Sequence, residues 1–356
     1  MLALFLLTAL LSLATASPLI DVPVENRSID EIYEAALKEN KTLRVAWGGD
    51  VQASGTGIRH YFEKRFPGIK LDLNLDLSKY LDAEIDRQHK MTNGEDEYVD
   101  LAVLQSLHDF PRWKAEGRLM PYKVAQWNDI YPKFVDADGA YTGLYIFTFG
   151  HTVYNPNYYR DPDAIPTTYS EFLKPQFFRR IVLTYPNDDD AILFLFTLII
   201  QKYGWGFMDD LARQQVTWVR GTATPSILGA DNSTANPLSI SFASSSAFAP
   251  GVASKMSKDV YMAWPQTGAI FAHAQAPEAA KLFMNYLMDD EWQNIVGERV
   301  YATRKAFDGQ GVFKQPNMDP LKYFQFMSNR TEVEQWRAQF ESVVGTPQGP
   351  NPNESF

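Results

Sequence analysis

The sequence of 356 residues contains no cysteine. Disulfides are excluded, so stability must come from a large apolar core. Positive charge is in short supply: 33 Lys and Arg face 43 Asp and Glu, a net charge of −10. An acidic surface argues against nucleic acid or an anionic membrane as partner. Histidine is sparse, and His60, His89, His108, His151 and His273 make no metal-binding spacing. His151, in an extended run, reads as structural. There is no Walker loop, G-x-G-x-x-G or G-x-S-x-G elbow, and Ser244-Ser245-Ser246 has no base nearby. No sequence feature marks a glycosidase carboxylate pair. No cofactor and no metal are therefore expected, and no catalytic motif is marked.

Long apolar runs are also missing. Residues 2–13 are apolar apart from Thr8 and Ser12, and Ala14-Thr15-Ala16 follows. The run is short of the ~20 residues a span needs. It reads as a secretory signal peptide, residues 1–16, cut after Ala16, although no Lys or Arg precedes it. The run Ala191 to Ile200 is too short to span as well. No membrane insertion is expected.

The whole chain is 45% hydrophobic and 14% aromatic, the composition of a well-cored globular protein, and long enough for two domains. N-x-S/T sequons at Asn26, Asn40, Asn232, Asn329 and Asn353, with the signal peptide, point to a eukaryotic secreted glycoprotein in the extracellular space.

Ser28 and Glu31 form a capping box that opens a short helix. Leu43 to Trp47 reads as a strand, Ser54 to Phe66 as a helix stopped by Pro67-Gly68, and Ile69 to Leu77 as a strand alternating with period two. A helix to Met91, a strand Asp100 to Leu104 and a helix over Leu107 to Glu116 complete βαβ units and a mainly parallel sheet. Two β-prone runs, Gly143 to Asn155 and Pro237 to Ala249, bracket a self-contained α/β segment. The simplest architecture is two discontinuous lobes: residues 42–145 plus 247–345 in lobe one, 146–246 in lobe two, two strands crossing, and a disordered tail at 346–356.

Ligands of open α/β sheets bind beyond the carboxyl ends of strands. Trp47-Gly48-Gly49-Asp50, Gln105-Ser106 and Trp264-Pro265-Gln266-Thr267 share that position. Gly48 and Gly49 would let backbone amides approach a ligand. Trp47 and Trp264 would wall it, and Gln105, Ser106, Gln266 and Thr267 would offer neutral hydrogen bonds. Asn187-Asp188-Asp189-Asp190 starts a helix; capping and the helix dipole account for it, or it is a loop that attracts a cation. Trp47 and Trp264 around a small polar or cationic molecule, with Asp50 or Asp188 on its positive group, make one coherent site.

The blocks FEKRFPGIKLDL (Phe62 to Leu73), YVDLAVLQS, EGRLMPY, GLYIFTFGHTVYNPNYY, TYSEFLKPQFFRRIVLTYP and YMAWPQTGAIFAHAQAPEAAKLFMNYLMDDEWQ occur in that order. This order resembles the extracellular solute-binding proteins of ABC importers with the type II periplasmic-binding-protein fold, in the branch of iron(III), thiamine and phosphonate binders. The resemblance covers about Thr42 to Arg304. It implies two α/β lobes closing on a small-molecule ligand without a chemical step, with ligand contacts at Trp47 to Asp50, Gln105-Ser106, the hinge run Tyr145 to His151, Asn187 to Asp190 and Trp264 to Thr267. Iron-binding members carry a late tandem Tyr pair; here Tyr158-Tyr159 lies elsewhere. A monomer is expected, and no importer partner is identified. The competing readings are a secreted interaction protein that kept the fold without a ligand, and a secreted enzyme using the cleft.

Overall fold

The computed structural model describes residues 22–233, 237–297 and 300–355; the signal-peptide expectation lies outside them. The chain opens with helix α1 (Ile29–Glu39), whose Ser28 and Glu31 make both bonds of the capping box. Strand β1 (Thr42–Gly48), helix α2 (Gln52–Arg65), strand β2 (Lys70–Asp76), helix α3 (Ser78–Met91), strand β3 (Leu101–Leu104) and helix α4 (Asp109–Ala115) follow. In β2 only Leu71, Leu73 and Leu75 are buried, as the period-two pattern requires, and β2 lies at the edge of its sheet. β3, apolar throughout, is buried on both faces and sits inside the sheet.

Strand β4 (Thr142–Phe149) leaves this lobe and β5 (Thr152–Tyr154) begins the other. Next come β6 (Val182–Thr184), α5 (Asp190–Tyr203), α6 (Gly206–Arg213), β7 (Thr217–Val219), α7 (Thr224–Ala230), β8 (Ile240–Ser241) and β9 (Ala253–Lys255). The chain returns along β10 (Met262–Ile270), then α8 (Pro277–Met288), α9 (Asp290–Val296), β11 (Tyr301–Ala302), α10 (Lys322–Ser328), α11 (Arg330–Val344) and α12 (Pro352–Ser355).

Lobe one carries a six-stranded sheet in the order β11-β4-β10-β3-β1-β2. It is mixed rather than mainly parallel: β1, β2 and β3 run parallel, whereas β10 is antiparallel to both β3 and β4, and β11 to β4. The reason is that β4 and β10 are the outgoing and returning connections, so they run in opposite directions. Lobe two is built on β8-β5-β9 and β6-β7, joined by a bridge between Ile181 and Ile240.

The crossing points differ from the sequence expectation. The first lies at Gly150-His151, inside the expected run. The second lies at Met256 to Tyr261, not within Pro237 to Ala249, because β8 and β9 both pair with β5 and keep that run in lobe two. The two crossings touch: the Ser257 amide donates to His151 Nδ1 at 3.3 Å, and the His151 and Tyr261 rings lie 4.4 Å apart. Burial pushes the His151 imidazole down to about 4, so it is neutral.

The C-terminal helices also depart from their expected place in lobe one. α10 and α11 pack on α5 of lobe two: Phe326 meets Phe194 and Phe340 meets Phe196, while Tyr323 reaches Trp264 of β10. This explains why α5 is buried on almost every side and lacks an amphipathic pattern. The tail, expected to be disordered, carries α12 and lies against both lobes.

Candidate functional site

Between the lobes lies a cavity of about 390 Å³, within the range of small-molecule sites. The carboxyl ends of β1 and β3 meet there with β4 and β10. Because β10 lies between β3 and β4, register places Trp264 beside Phe147 and Gln266 beside Tyr145. Of the residues named from sequence, Trp47, Gly48, Gly49, Asp50, Gln105, Ser106, Tyr145, Trp264 and Gln266 line the cavity.

Three named residues stand apart from the lining. Thr267 is buried in the sheet and donates its hydroxyl to the Pro265 carbonyl. Asn187 donates to the Gly345 carbonyl at 3.0 Å. Asp188 bridges Lys79 at 2.8 Å and Arg220 at 3.2 Å, an ion pair between lobes.

The glycine turn works differently from the sequence reading. A Cβ on Gly48 would lie 2.2 Å from Ser78 Oγ, so glycine here permits α3 to approach β1. The Gly49 amide donates to the Asp76 carbonyl at 2.9 Å and is unavailable to a ligand. The Gln105 amide likewise donates to Ser78 Oγ. Asp50 reaches across the cleft instead: its Oδ2 accepts from the Ala223 amide at 2.9 Å, the Thr222 hydroxyl at 3.0 Å and the Thr222 amide. These donors partly offset the burial that raises its carboxyl above the ordinary range.

The walls are aromatic. Trp264 packs on Phe147 and Phe149 at 5.3 and 5.2 Å, and its Nε1 donates to Gln266 Oε1 at 3.0 Å. Gln266 Nε2 in turn donates to the Val103 carbonyl. Trp47 is held edge-on by Phe283. Tyr61, Phe248 and Trp292 extend the apolar lining. Burial raises the Tyr145 phenol, which stays protonated.

The polar lining is acidic. Asp189 caps α5, its Oδ1 accepting from the Ile192 amide at 2.9 Å. Asp189 lines the cavity, and burial pushes its carboxyl up to about 7. Among the described residues no Lys, Arg or His forms an ion pair with it. Asp190 beside it is neutralised by Arg337 at 2.5 Å, and Lys79, which also lines the cavity, is neutralised by Asp188. Behind Ser106, burial and the Asp109 charge hold Asp82 well above the usual carboxylate range. The sequence reading favours Asp188 over Asp189, yet both cap-region carboxylates look alike in sequence, and only packing separates them. It missed Ser78, Lys79 and Thr222, which no motif marks.

Among the described residues no group of three or more His, Cys, Asp or Glu is placed to hold a metal ion. Of the sequons, Asn26, Asn40, Asn232 and Asn329 are exposed, whereas Asn353 is half-buried with its Nδ2 donating to Asp76 Oδ1 at 2.8 Å.

Solved structures share this fold at low identity. The substrate-binding protein of an ABC transporter from Agrobacterium tumefaciens matches with a TM-score of 0.67 and 15% identity, covering 86% of this chain and 95% of that one. The periplasmic binding protein AfuA from Actinobacillus pleuropneumoniae, with fructose-6-phosphate bound, matches at 0.60 and 14%, covering 85% and 99%. A Listeria monocytogenes chain described as a spermidine/putrescine ABC transporter matches at 0.55 and 15%, covering 84% and 98%. These likenesses show the two-lobed type II periplasmic-binding-protein fold. No curated protein matches the sequence. The model of one family matches residues 96–321, across both lobes and the crossings between them: the chain belongs to the bacterial extracellular solute-binding proteins.

Proposed function

We propose that the chain captures a small organic cation in the interlobe cavity, without a chemical step. One observation carries this reading: the Asp189 carboxyl lines an aromatic-walled cavity, makes no ion pair among the described residues, and is raised by burial to about 7. A carboxyl in that setting ionises readily only when a positive charge arrives. Trp47, Tyr145 and Trp264 offer the π-faces that favour such a charge. Two lining charges that would mislead, Lys79 and Asp190, are already paired. The Listeria protein's described ligands, spermidine and putrescine, are cations of this kind; the AfuA ligand is an anion, for which the Asp189 face is unsuited.

The family's members are extracellular substrate-binding proteins that serve ABC transporters. Secretion of this chain through its N-terminal signal, glycosylation at the exposed sequons and a monomeric state are parts of the same proposal. The importer partner is unidentified.

Isothermal titration with putrescine, spermidine and choline, against fructose-6-phosphate and ferric citrate, tests the reading. Saturable binding of one or more cations, weakened in Asp189→Asn and in Trp264→Ala, is expected. Binding of the anions with silence from all cations would overturn it.

A further inference from the structure

We propose that residues 345–355 form a strap that ties the two lobes together across the mouth of the cleft and holds the cavity closed. The segment follows α11, which packs on lobe two, and is rich in Gly, Pro and Asn. On lobe two, Asn187 Nδ2 donates to the Gly345 carbonyl at 3.0 Å, and Arg220 approaches the Gly349 carbonyl at 3.5 Å. Pro352 is buried directly on Gly221: a Cβ built there would lie 2.4 Å from Pro352 Cγ. Gly221 has φ +77°, so glycine serves both the backbone conformation and the close approach. One residue later, Asn353 Nδ2 donates to Asp76 Oδ1 of lobe one at 2.8 Å. Asp76 ends β2, and its Oδ1 also accepts from the Leu77 amide at the start of α3. The strap is thus anchored on both sides of the cleft.

Its position matters because it overlies the other closing contact. Gly221 precedes Thr222 and Ala223, whose amides hold Asp50 of lobe one. Asp50 Oδ2 is within 3.1 Å of the same Cβ position that Pro352 blocks. Strap, Gly221 and Asp50 form one stack, and separating the lobes requires Asn353 to leave Asp76. This adds an in-built restraint on exchange with the cavity, and it stands whether or not the ligand is a cation.

Because the chain has no cysteine, two introduced cysteines are unique labels. Spin labels at Lys64→Cys on lobe one and Gln176→Cys on lobe two report the interlobe distance by double electron-electron resonance. The full chain is expected to give one short distance. A chain ending at Gly345, and separately Asn353→Ala, are expected to add a longer population. Hydrogen exchange at the Thr222 and Ala223 amides should accelerate, about fivefold for the loss of the single Asn353 bond. Circular dichroism checks the fold of each variant; if the shortened chain unfolds, Asn353→Ala decides alone. Unchanged distances and unchanged exchange in the folded variants would overturn the proposal. Neither readout uses a ligand, so its failure is separable from failure of the cation reading.

Discussion

At the scale of single residues, chemistry and packing demand different things of side chains that look alike in sequence. Asp188 and Asp189 are adjacent carboxylates, yet one is an interlobe ion-pair partner and the other faces the cavity. Replacing Asp189 by Asn keeps an N-cap side chain but removes the charge, and should weaken binding of an organic cation about 30-fold or more, read by titration calorimetry. The pH dependence has a definite sign. Only the ionised carboxylate attracts a cation, so Kd should rise about tenfold per unit as pH falls below about 7. For the unliganded protein the sign reverses. A folded-state value raised from 3.8 to about 7 means the folded chain holds the proton more tightly, so stability falls as pH rises across that window. Asp189→Asn should therefore melt higher than the parent chain at pH 8, with the gap closing toward pH 4, in a thermal scan without ligand.

At the scale of elements, local sequence rules decide where strands and helices start, and close packing decides what they tolerate. The α1 capping box satisfies backbone donors that would otherwise lack partners. Ser28→Ala should cost about 1 kcal/mol in denaturant unfolding, as an exposed cap does. Gly150, between β4 and β5, is a harsher position. It has φ +111°, and a Cβ there would lie 2.5 Å from the Tyr169 hydroxyl and 2.7 Å from Tyr261 Cβ. Gly150→Ala should cost about 2 kcal/mol or more, with strain and overlap adding, measured by the same unfolding curve. α1, α2 and β2 were readable from their periodicity, β1 and β3 as short apolar runs, and α5 from the acidic cap that starts it. The antiparallel course of β10 was not, because a fully buried strand such as MAWPQTGAI shows no alternation to give its direction or partners.

At the scale of the whole molecule, contacts across the cleft determine whether the lobes stay together. Asp50 on Thr222 and Ala223, Lys79 on Asp188, and Arg220 on Tyr80 all join lobe one to lobe two. Closure reflects the balance of such contacts against solvation of the open cleft. Asp50→Ala removes three hydrogen bonds at once, and small-angle scattering should show a larger radius of gyration for the unliganded chain. An identical scattering curve would assign closure to the remaining contacts alone.

The sequence by itself determined the α/β class, the two-lobed plan, a first crossing within Gly143 to Asn155 and nine residues of the cavity lining. These follow from periodicity and from where strands end, which are local properties of the chain. Tertiary structure alone decided the second crossing, the place of α10 and α11 against α5, and the order of the tail. It also decided the roles of Gly48, Asp50 and Asp189. Each of these depends on what residues far apart in the chain bring to the same point: Ser78 against Gly48, Thr222 against Asp50, Pro352 against Gly221. No pattern within one segment encodes such a meeting, because burial and shared hydrogen bonds exist only once both partners are in place.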